Sequence, residues 1–320
     1  MKSIFIIACA LLAAVAVPAS AQNFPAKPVR LVVPFPPGGP ADSLGRLLAE
    51  KLKQSWGESV IVENRGGAGG NIGAEAVAKA APDGYTLLLN ASNHVINSAL
   101  LDKMPFDPIK DFTPITEVAS YMLVLVVHPS VQANSLRELV ALARSKPKSL
   151  LIANAGNGTP THLTAALFAQ AANIDAVHVP YKGAAPANTD LLGGQVHAMF
   201  NNPVNALPQV KAGKLRALAV TGAKRTELMP DLPTVAESGY PGFEATTWYG
   251  LFGPAGIPRE VAERIHEHVL KALHSKDVQA KLAPQGWDIV GSSQPDFAAF
   301  LVAETEKWTR VVKGAGIKPD

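Results

Sequence analysis

Two glycine-containing loops are the part of this sequence best suited to bind a small anion. The first, residues 35–40, reads Phe-Pro-Pro-Gly-Gly-Pro, and the second, residues 155–160, reads Ala-Gly-Asn-Gly-Thr-Pro. Each follows an apolar segment and leads into a segment of helical spacing, so each ends at a helix N-terminus. Backbone N–H groups there lack intrahelical partners and attract negative charge. The sequence therefore predicts two anion-binding loops, although short strand-to-helix turns of this kind are also common without a ligand.

Two further loop segments carry polar or glycine residues directly after expected strands. Ligands of open α/β sheets bind beyond the carboxyl ends of strands. Ser92 and Asn93, and in the second half of the chain Tyr181, Lys182 and Gly183, are therefore secondary candidates for the site. Ser92 and Asn93 can equally make local hydrogen bonds to nearby backbone, and Lys182 can equally be a solvated surface charge.

Apolar segments alternate with segments of helical spacing along most of the chain, which is typical of parallel sheets covered by helices on both faces. Strands are expected at residues 29–35, 59–63, 85–89, 121–127, 150–154, 177–180, 196–200, 215–220 and 248–252. Helices are expected at residues 41–54, 72–80, 135–144, 161–171, 187–192, 258–274 and 295–313. Residues 221–242 contain three prolines and are expected to form an irregular surface segment.

The composition is that of a folded protein without a nucleic-acid partner. The chain has 320 residues, 29 basic and 26 acidic side chains, a net charge of +3 and 48% hydrophobic residues. This length favours two domains of about 150 residues each, and the hydrophobic content excludes wholesale disorder. The charge is small and evenly spread, without a basic block, which argues against nucleic-acid binding.

Residues 1–21 have the features of a secretory signal peptide. Lys2 precedes an apolar stretch over residues 4–17, and the segment ends in an Ala-x-Ala pattern at Ala21. Cys9, the one cysteine of the chain, lies inside this segment. We therefore expect a periplasmic protein whose mature chain has neither a disulfide nor thiol chemistry.

Enzyme motifs are weakly supported. The glycines at residues 66–73 follow an expected strand, as in a nucleotide-dependent oxidoreductase, but from Gly67 the sixth position is Ile72 rather than glycine. The Gly-x-Ser-x-Gly motif of many hydrolases is absent from the sequence. His266 and His268 are two residues apart on an expected helix and face different ways, so they do not form a metal site. We expect a protein that is not an enzyme and uses no cofactor and no metal.

Seven ordered motifs span the chain beyond residue 21. They are residues 33–39 (VPFPPGG) with Asp42 and Arg46, 63–65 (ENR) with 67–73, 82–87 (PDGYTL), 179–183 (VPYKG), 213–220 (GKLRALAV), 233–237 (PTVAE) and 248–252 (WYGLF). Together they resemble the tripartite tricarboxylate transporter solute-binding receptors, also called the Bug family.

This resemblance implies a two-lobed type II periplasmic binding protein fold, with the ligand enclosed between lobes joined by two crossing segments. Lobe one would hold residues 22–118 and 222–320, and lobe two residues 119–221. It also implies a monomeric receptor that delivers a small carboxylate to membrane transporter components. The alternative is a ligand-sensing receptor that feeds a signalling partner.

The resemblance also implies which residues bind the ligand. Family members hold a ligand carboxylate through the first strand-to-helix loop and its counterpart in lobe two. Carried onto this sequence, these residues are Phe35, Gly38 and Gly39 in lobe one and Gly156, Gly158, Thr159 and His162 in lobe two.

One position departs from the family pattern. Relatives commonly have an acidic residue where this chain has Asn201. An aspartate there can pair with a ligand ammonium, whereas asparagine offers only hydrogen bonds. We therefore expect a di- or tricarboxylate, or an aromatic carboxylate, rather than an amino acid.

Overall fold

The structure, a computed structural model, describes residues 24–317, and the predicted signal peptide with Cys9 lies outside this range. The strands are β1 Val29–Val33, β2 Val60–Asn64, β3 Thr86–Ala91, β4 Phe112–Met122, β5 Val124–Val127, β6 Leu151–Asn154, β7 Val177–Pro180, β8 Ala198–Asn201, β9 Arg216–Val220, β10 Thr246–Pro254 and β11 Asp288–Ile289. The helices are α1 Pro40–Trp56, α2 Asn71–Ala78, α3 Asn93–Leu100, α4 Leu136–Ser145, α5 Pro160–Ala172, α6 Ala184–Leu192, α7 Pro203–Lys211, α8 Arg259–Leu273, α9 Lys276–Leu282 and α10 Gln294–Ala315. Short 3₁₀ turns occupy Ala68–Gly70 and Ala283–Gln285.

The strands form two sheets. One has six strands in the order β11-β4-β10-β3-β1-β2, and the other has five in the order β7-β6-β8-β5-β9. β1 pairs in parallel with β2 and β3, and β6 with β7 and β8, but β10 is antiparallel to β3 and β4, and β5 is antiparallel to β8 and β9. The sheets are therefore mixed, with the parallel pairs that the sequence predicted and antiparallel pairs that it did not. The antiparallel strands are those next to the two points where the chain passes between the sheets.

The chain changes sheet at Leu123. β4 in the six-stranded sheet ends at Met122 and β5 in the five-stranded sheet begins at Val124. Thr221, at the start of the return segment, accepts a hydrogen bond from the Leu123 N–H (2.8 Å) and donates its own N–H to the Leu123 carbonyl (2.9 Å). The single strand expected at 121–127 is thus two strands in different sheets. Because residues 122–127 are all buried, no change of polarity marks the break.

The residues of the two sheets can be compared with the proposed lobe boundaries. The six-stranded sheet draws its strands from residues 29–122 and 246–289, and the five-stranded sheet from residues 124–220. The division at 118/119 and 221/222 stays a proposal. The irregular segment predicted after Val220 is confirmed, since residues 221–245 contain neither a named strand nor a helix.

Helices cover both faces of the six-stranded sheet. Leu44, Leu48 and Leu52, four residues apart on α1, are buried together with residues of α8 against one face. The other face packs against α2, α3 and α10. The last helix also reaches the second sheet, because α10 packs against α5 and Gln170 donates a hydrogen bond to the Val311 carbonyl at 2.9 Å.

The helices expected at residues 135–144 and 295–313 are confirmed as α4 and α10, and each is capped by the serine before it. Ser135 accepts a hydrogen bond from the Glu138 N–H at 3.2 Å, and Ser293 accepts one from the Asp296 N–H at 3.2 Å. Helices α3, α7 and α9 were not expected. α7 begins at Pro203 and contains Pro208, so its sequence is typical of a loop, yet the Asn202 side chain caps it by accepting from the Val204 N–H at 2.9 Å.

Candidate functional site

A cavity of about 1250 Å³ lies between the two sheets. On the side of the six-stranded sheet its wall is formed by residues 35–39, α1, the start of α3, β4, β10 and residues 281–287. On the other side it is formed by residues 155–161, the start of α6, β8 and the start of α7. The two glycine-containing loops, more than a hundred residues apart in sequence, therefore face the same cavity.

About half of the candidate site residues line this cavity. They are Phe35, Gly38, Gly39, Asn93, Thr159, Gly183 and Asn201. The remaining candidates are not part of the cavity wall, namely Ser92, Gly156, Gly158, His162, Tyr181 and Lys182. The structure gives the positions of the candidates relative to the cavity. That they bind a ligand stays a prediction.

The first loop is held in shape by the Asp42 carboxylate. Asp42 accepts hydrogen bonds from the Gly38 N–H (2.9 Å), from Arg46 Nε (3.0 Å) and from Asn64 Nδ2 (2.9 Å). Asn64 Nδ2 also lies 3.1 Å from the Phe35 carbonyl. Hydrogen bonding from Arg46 is the largest cause that lowers the pKa of Asp42 to about 2. This network explains why Asp42, Arg46 and Asn64 accompany the loop in the sequence motifs.

The N-terminus of α1 faces the cavity without a side-chain cap. Gly39 is the N-cap residue and has no side chain to bond the first turn, and Pro40 has no N–H. The first intrahelical bond runs from the Ser43 N–H to the Gly39 carbonyl at 3.0 Å. The N–H groups of Ala41 and Asp42 therefore lack an acceptor one turn earlier, and Ala41 lines the cavity. This helix start is suited to an anion.

The second loop is held in a similar way, because side chains accept its backbone donors as Asp42 accepts the Gly38 N–H in the first. The Gly156 N–H donates to Asn154 Oδ1 at 3.0 Å, and the Gly158 N–H donates to His162 Nδ1 at 3.1 Å. His162 is buried and its ring lies 5.2 Å from that of His178. Gly156, Gly158 and His162 are therefore not part of the cavity wall in this structure, and their contact with a ligand stays a prediction. Their hydrogen bonds stabilise the conformation of the loop.

What the second loop presents to the cavity is hydroxyl groups. Thr159 donates its Oγ1 hydrogen to the Gly156 carbonyl at 2.7 Å and accepts the His162 N–H at 3.4 Å. Thr161 Oγ1 accepts the Ala155 N–H at 3.0 Å and shares a 3.0 Å hydrogen bond with Thr159. Thr159, Thr161 and Ala155 all line the cavity. The two loops thus differ at the start of the helix that follows them, which is uncapped after the first loop and capped by Thr159 after the second.

Three secondary candidates are placed away from the cavity wall. Ser92 is fully buried, and its Oγ has no hydrogen-bond partner within residues 24–317. The Tyr181 hydroxyl donates to Asp190 at 2.7 Å, and burial together with this carboxylate raises the pKa of Tyr181 to about 12. Lys182 is exposed. Its interpretation as a solvated surface charge fits the structure better than ligand contact.

Asn201 lines the cavity with both ends of its amide already bonded. Its Nδ2 donates to Asn188 Oδ1 at 2.5 Å, and its Oδ1 accepts the Asn202 N–H at 2.9 Å. Asn188 in turn donates to the Ala184 carbonyl at 2.9 Å. The amide therefore links β8 to α6 within the cavity wall.

Three aromatic residues of the cavity wall were not predicted from the sequence. Tyr121 lies 5.1 Å from Trp287 and 6.3 Å from Tyr249, measured between ring centroids, and Tyr249 lies 5.0 Å from Trp287. Burial, and the neighbouring Tyr121, raise the pKa of Tyr249 well above its usual value. Tyr249 belongs to the motif at residues 248–252, but nothing in the sequence around Trp287 indicated that Trp287 would reach the cavity.

No helix within residues 24–317 combines the length and the apolar composition that spanning a membrane requires.

Comparison with known proteins places the chain in a family. The model of the tripartite tricarboxylate transporter family receptor matches residues 44–317. The protein BugT of Bordetella pertussis is 38% identical over 308 residues, covering 96% of this chain and 94% of that protein.

Solved structures agree with this family match. Rpa4515 of R. palustris, solved with adipate, has a TM-score of 0.78 and 37% identity, covering 93% of this chain and 100% of that one. MatC of Rhodopseudomonas palustris, solved with bound malate, has a TM-score of 0.75 and 33% identity, covering 90% and 100%. The expected two-lobed periplasmic binding protein fold is confirmed by these neighbours. The chain belongs to the tripartite tricarboxylate transporter receptor family.

Proposed function

We propose that this protein is a periplasmic solute receptor that encloses a small organic carboxylate in the cavity between its sheets and delivers it to a tripartite tricarboxylate-type membrane transporter. The observation that carries the proposal is the uncapped N-terminus of α1, where Gly39 and Ala41 face the cavity. Backbone donors at a helix start hold a carboxylate through hydrogen bonds and a favourable dipole, without a full countercharge.

The class of ligand follows from the chemistry of the cavity wall. The relatives Rpa4515 and MatC were solved with adipate and malate, which are both dicarboxylates. In this chain the candidate position for an ammonium partner is Asn201, whose amide is already bonded within the protein. A carboxylic acid without an ammonium group suits this wall better than an amino acid.

Binding is coupled to closure because the ligand contacts come from both sides of the cavity. The α1 N-terminus belongs to the six-stranded side and the Thr159 and Thr161 hydroxyls to the five-stranded side. The α1 N-terminus and the two threonine hydroxyls contact one small ligand together only when the two sides of the cavity approach each other. A ligand therefore favours the closed state by its differential affinity.

The compartment and partners rest on the family and on the predicted signal peptide. A receptor of this family works with membrane components of a transporter, to which the closed, ligand-loaded form is presented. We propose that the receptor is a monomer that binds these components transiently.

Substitution of Gly39 tests the site directly. Gly39 has φ −82° and ψ 173°, and a Cβ built there has only the Pro36 carbonyl oxygen within 4 Å, at 3.8 Å, so other residues fit. In Gly39→Asp the new carboxylate caps α1 and occupies the place of the ligand anion. We expect unchanged or higher unfolding stability together with lost carboxylate binding.

The measurement is a thermal-shift screen of carboxylic acids, followed by calorimetric titration of the acids that respond. A ligand at a hundredfold excess over its dissociation constant adds about 2.7 kcal/mol to wild-type stability. Gly39→Ala, which adds neither charge nor cap, is the control and should keep binding. If Gly39→Asp binds the same acid as tightly as the wild type, the α1 N-terminus is not the carboxylate site.

A further inference from the structure

The cavity is elongated along helix α1. Pro40, Leu44, Leu47 and Glu50 all line it, and their spacing of three or four residues places them on one face of the helix. At 1.5 Å per residue this face runs for about 15 Å. A carboxylate held at the α1 N-terminus therefore leaves much of the cavity unfilled.

The far end of this face lies beside helix α9. Lys51, next to Glu50 on α1, forms an ion pair with Asp277 at the start of α9. Lys281 is one turn beyond Asp277 on α9 and lines the cavity. Lys281 thus lies at the end of the cavity opposite the α1 N-terminus.

Lys281 is available for a ligand. The cations in the cavity wall are Arg46 and Lys281. Arg46 pairs with the buried Asp42 carboxylate at 2.9 Å. Within residues 24–317 Lys281 has no carboxylate within ion-pair distance, and its side chain is exposed.

The wall between the two ends is mainly apolar and aromatic. It includes Leu44, Leu47, Met199, Tyr249 and Trp287. Such a surface gains free energy by covering methylene or ring carbons of a ligand. The succession along the cavity is therefore an anion site, an apolar wall and a far end that carries the Lys281 ammonium as well as the Glu50 carboxylate.

Resting on the proposed function above, we infer that the ligand is an elongated dicarboxylate with an apolar middle, and that Lys281 selects it by binding the distal carboxylate. The proximal carboxylate binds at the α1 N-terminus. Short dicarboxylates do not reach Lys281 and are bound by one end. Lys281 is thus a specificity-determining residue.

The test is calorimetric titration of matched pairs of acids that differ in one terminal carboxylate, namely adipate with hexanoate and suberate with octanoate. Wild type should bind the dicarboxylate of each pair about fivefold more tightly, the upper range for an exposed ion pair. Succinate should show no such advantage over butyrate, because it is too short to span the cavity.

Two variants assign the preference to one side chain. Lys281→Met should remove the preference for adipate and suberate and leave the affinity for hexanoate and octanoate unchanged. Lys276→Met, which removes an exposed lysine of the same helix that is not in the cavity wall, should behave as wild type. If wild type binds both members of each pair equally, or if Lys281→Met keeps the preference, this inference is overturned while the receptor function stands. Failure of every acid to bind would overturn the proposed function as well.

Discussion

The indole Nε1 of Trp248 donates a hydrogen bond to Oε2 of the buried Glu304 at 2.9 Å. Trp308 donates a second to the same oxygen at 2.8 Å, and Lys307 forms an ion pair with Oε1. The Glu304 carboxyl group on α10 is thus held in place beside β10. Glu117 on β4 lies near Glu304, and within residues 24–317 its carboxyl group has no comparable hydrogen bonds or ion pair. Burial first, then the charges of Glu304 and Glu244, raise the pKa of Glu117 to about 7.

The raised pKa of Glu117 predicts that folding stability falls as pH rises. The folded state holds the Glu117 proton at pH values where the unfolded state, with a pKa near 4.5, has lost it. This stabilisation is complete below pH 4.5 and is lost as pH rises through about 7. Glu117→Gln should therefore be more stable than wild type at pH 8, and its stability should not show this fall with rising pH.

Chemical denaturation across this pH range measures the effect. Glu267→Gln, which removes an exposed carboxylate of α8, is the control and should follow the wild-type curve. An identical pH slope in wild type and Glu117→Gln would show that Glu117 ionises in the folded state as it does in the unfolded chain.

The contribution of Asp42 to folding stability has the opposite dependence on pH. Its pKa is lowered from 3.8 to about 2, with the Arg46 hydrogen bond as the largest cause, so its contribution is present above pH 3.8 and is lost as pH falls through about 2. Asp42→Asn cannot accept from Gly38, Arg46 and Asn64 together. We expect a loss of about 1.5 to 3 kcal/mol at pH 7, in the range of hydrogen bonds to a charged group.

The same substitution should weaken ligand binding, because the loop at residues 35–39 loses its anchor. Denaturation and calorimetric titration at pH 7 measure the two effects. Glu63→Gln removes the more exposed ion pair with Arg30 (2.7 Å) and should change stability by less than about 1 kcal/mol and leave affinity intact. Wild-type affinity in Asp42→Asn would show that the loop keeps its shape without this carboxylate.

The sequence predicted the positions of the two loops because glycine and proline between a strand and a helix are local signals. It did not predict which backbone donors stay free. In the second loop these donors are taken by Asn154 and His162, and this depends on side-chain orientation rather than on spacing. The sheet change at Leu123 was missed because the residues that follow it are uniformly buried. Trp287 reaches the cavity through long-range packing against Tyr121 and Tyr249, which leaves no local pattern.

Gly158 forms a close contact between the two sides of the cavity. Its φ is +69°, and a Cβ added there would lie 2.6 Å from Cδ1 of Leu100 on α3. Gly158→Ala should cost about 1 kcal/mol from the left-handed backbone. It should also weaken ligand binding, because Leu100 must move and the second loop shifts with it.

Gly213 provides the matched control. Its φ is +68°, but a Cβ there meets nothing within 4 Å. Gly213→Ala should lose a similar amount of stability by denaturation and keep its affinity in titration. Equal affinities in the two variants would show that the contact with Leu100 does not position the second loop.

A negative charge at position 201 should lower both folding stability and carboxylate affinity. Asn201→Asp replaces the donor that bonds Asn188 at 2.5 Å with an oxygen, so two oxygens face each other in a buried wall. We expect lower stability, by about 1 to 3 kcal/mol for the unsatisfied polar group. Carboxylate affinity should also fall, because a negative charge is added to a cavity that binds an anion.

Asn205→Asp separates these two effects. Asn205 lies in the same wall and is exposed, so this variant adds the same charge without breaking the bond between Asn201 and Asn188. It should lower carboxylate affinity moderately and leave stability near wild type. Calorimetric titration of both variants with dicarboxylates and with aspartate and glutamate decides the ligand class. Tight binding of an amino acid by the wild type, with no response to carboxylic acids, would reverse the assignment drawn from Asn201.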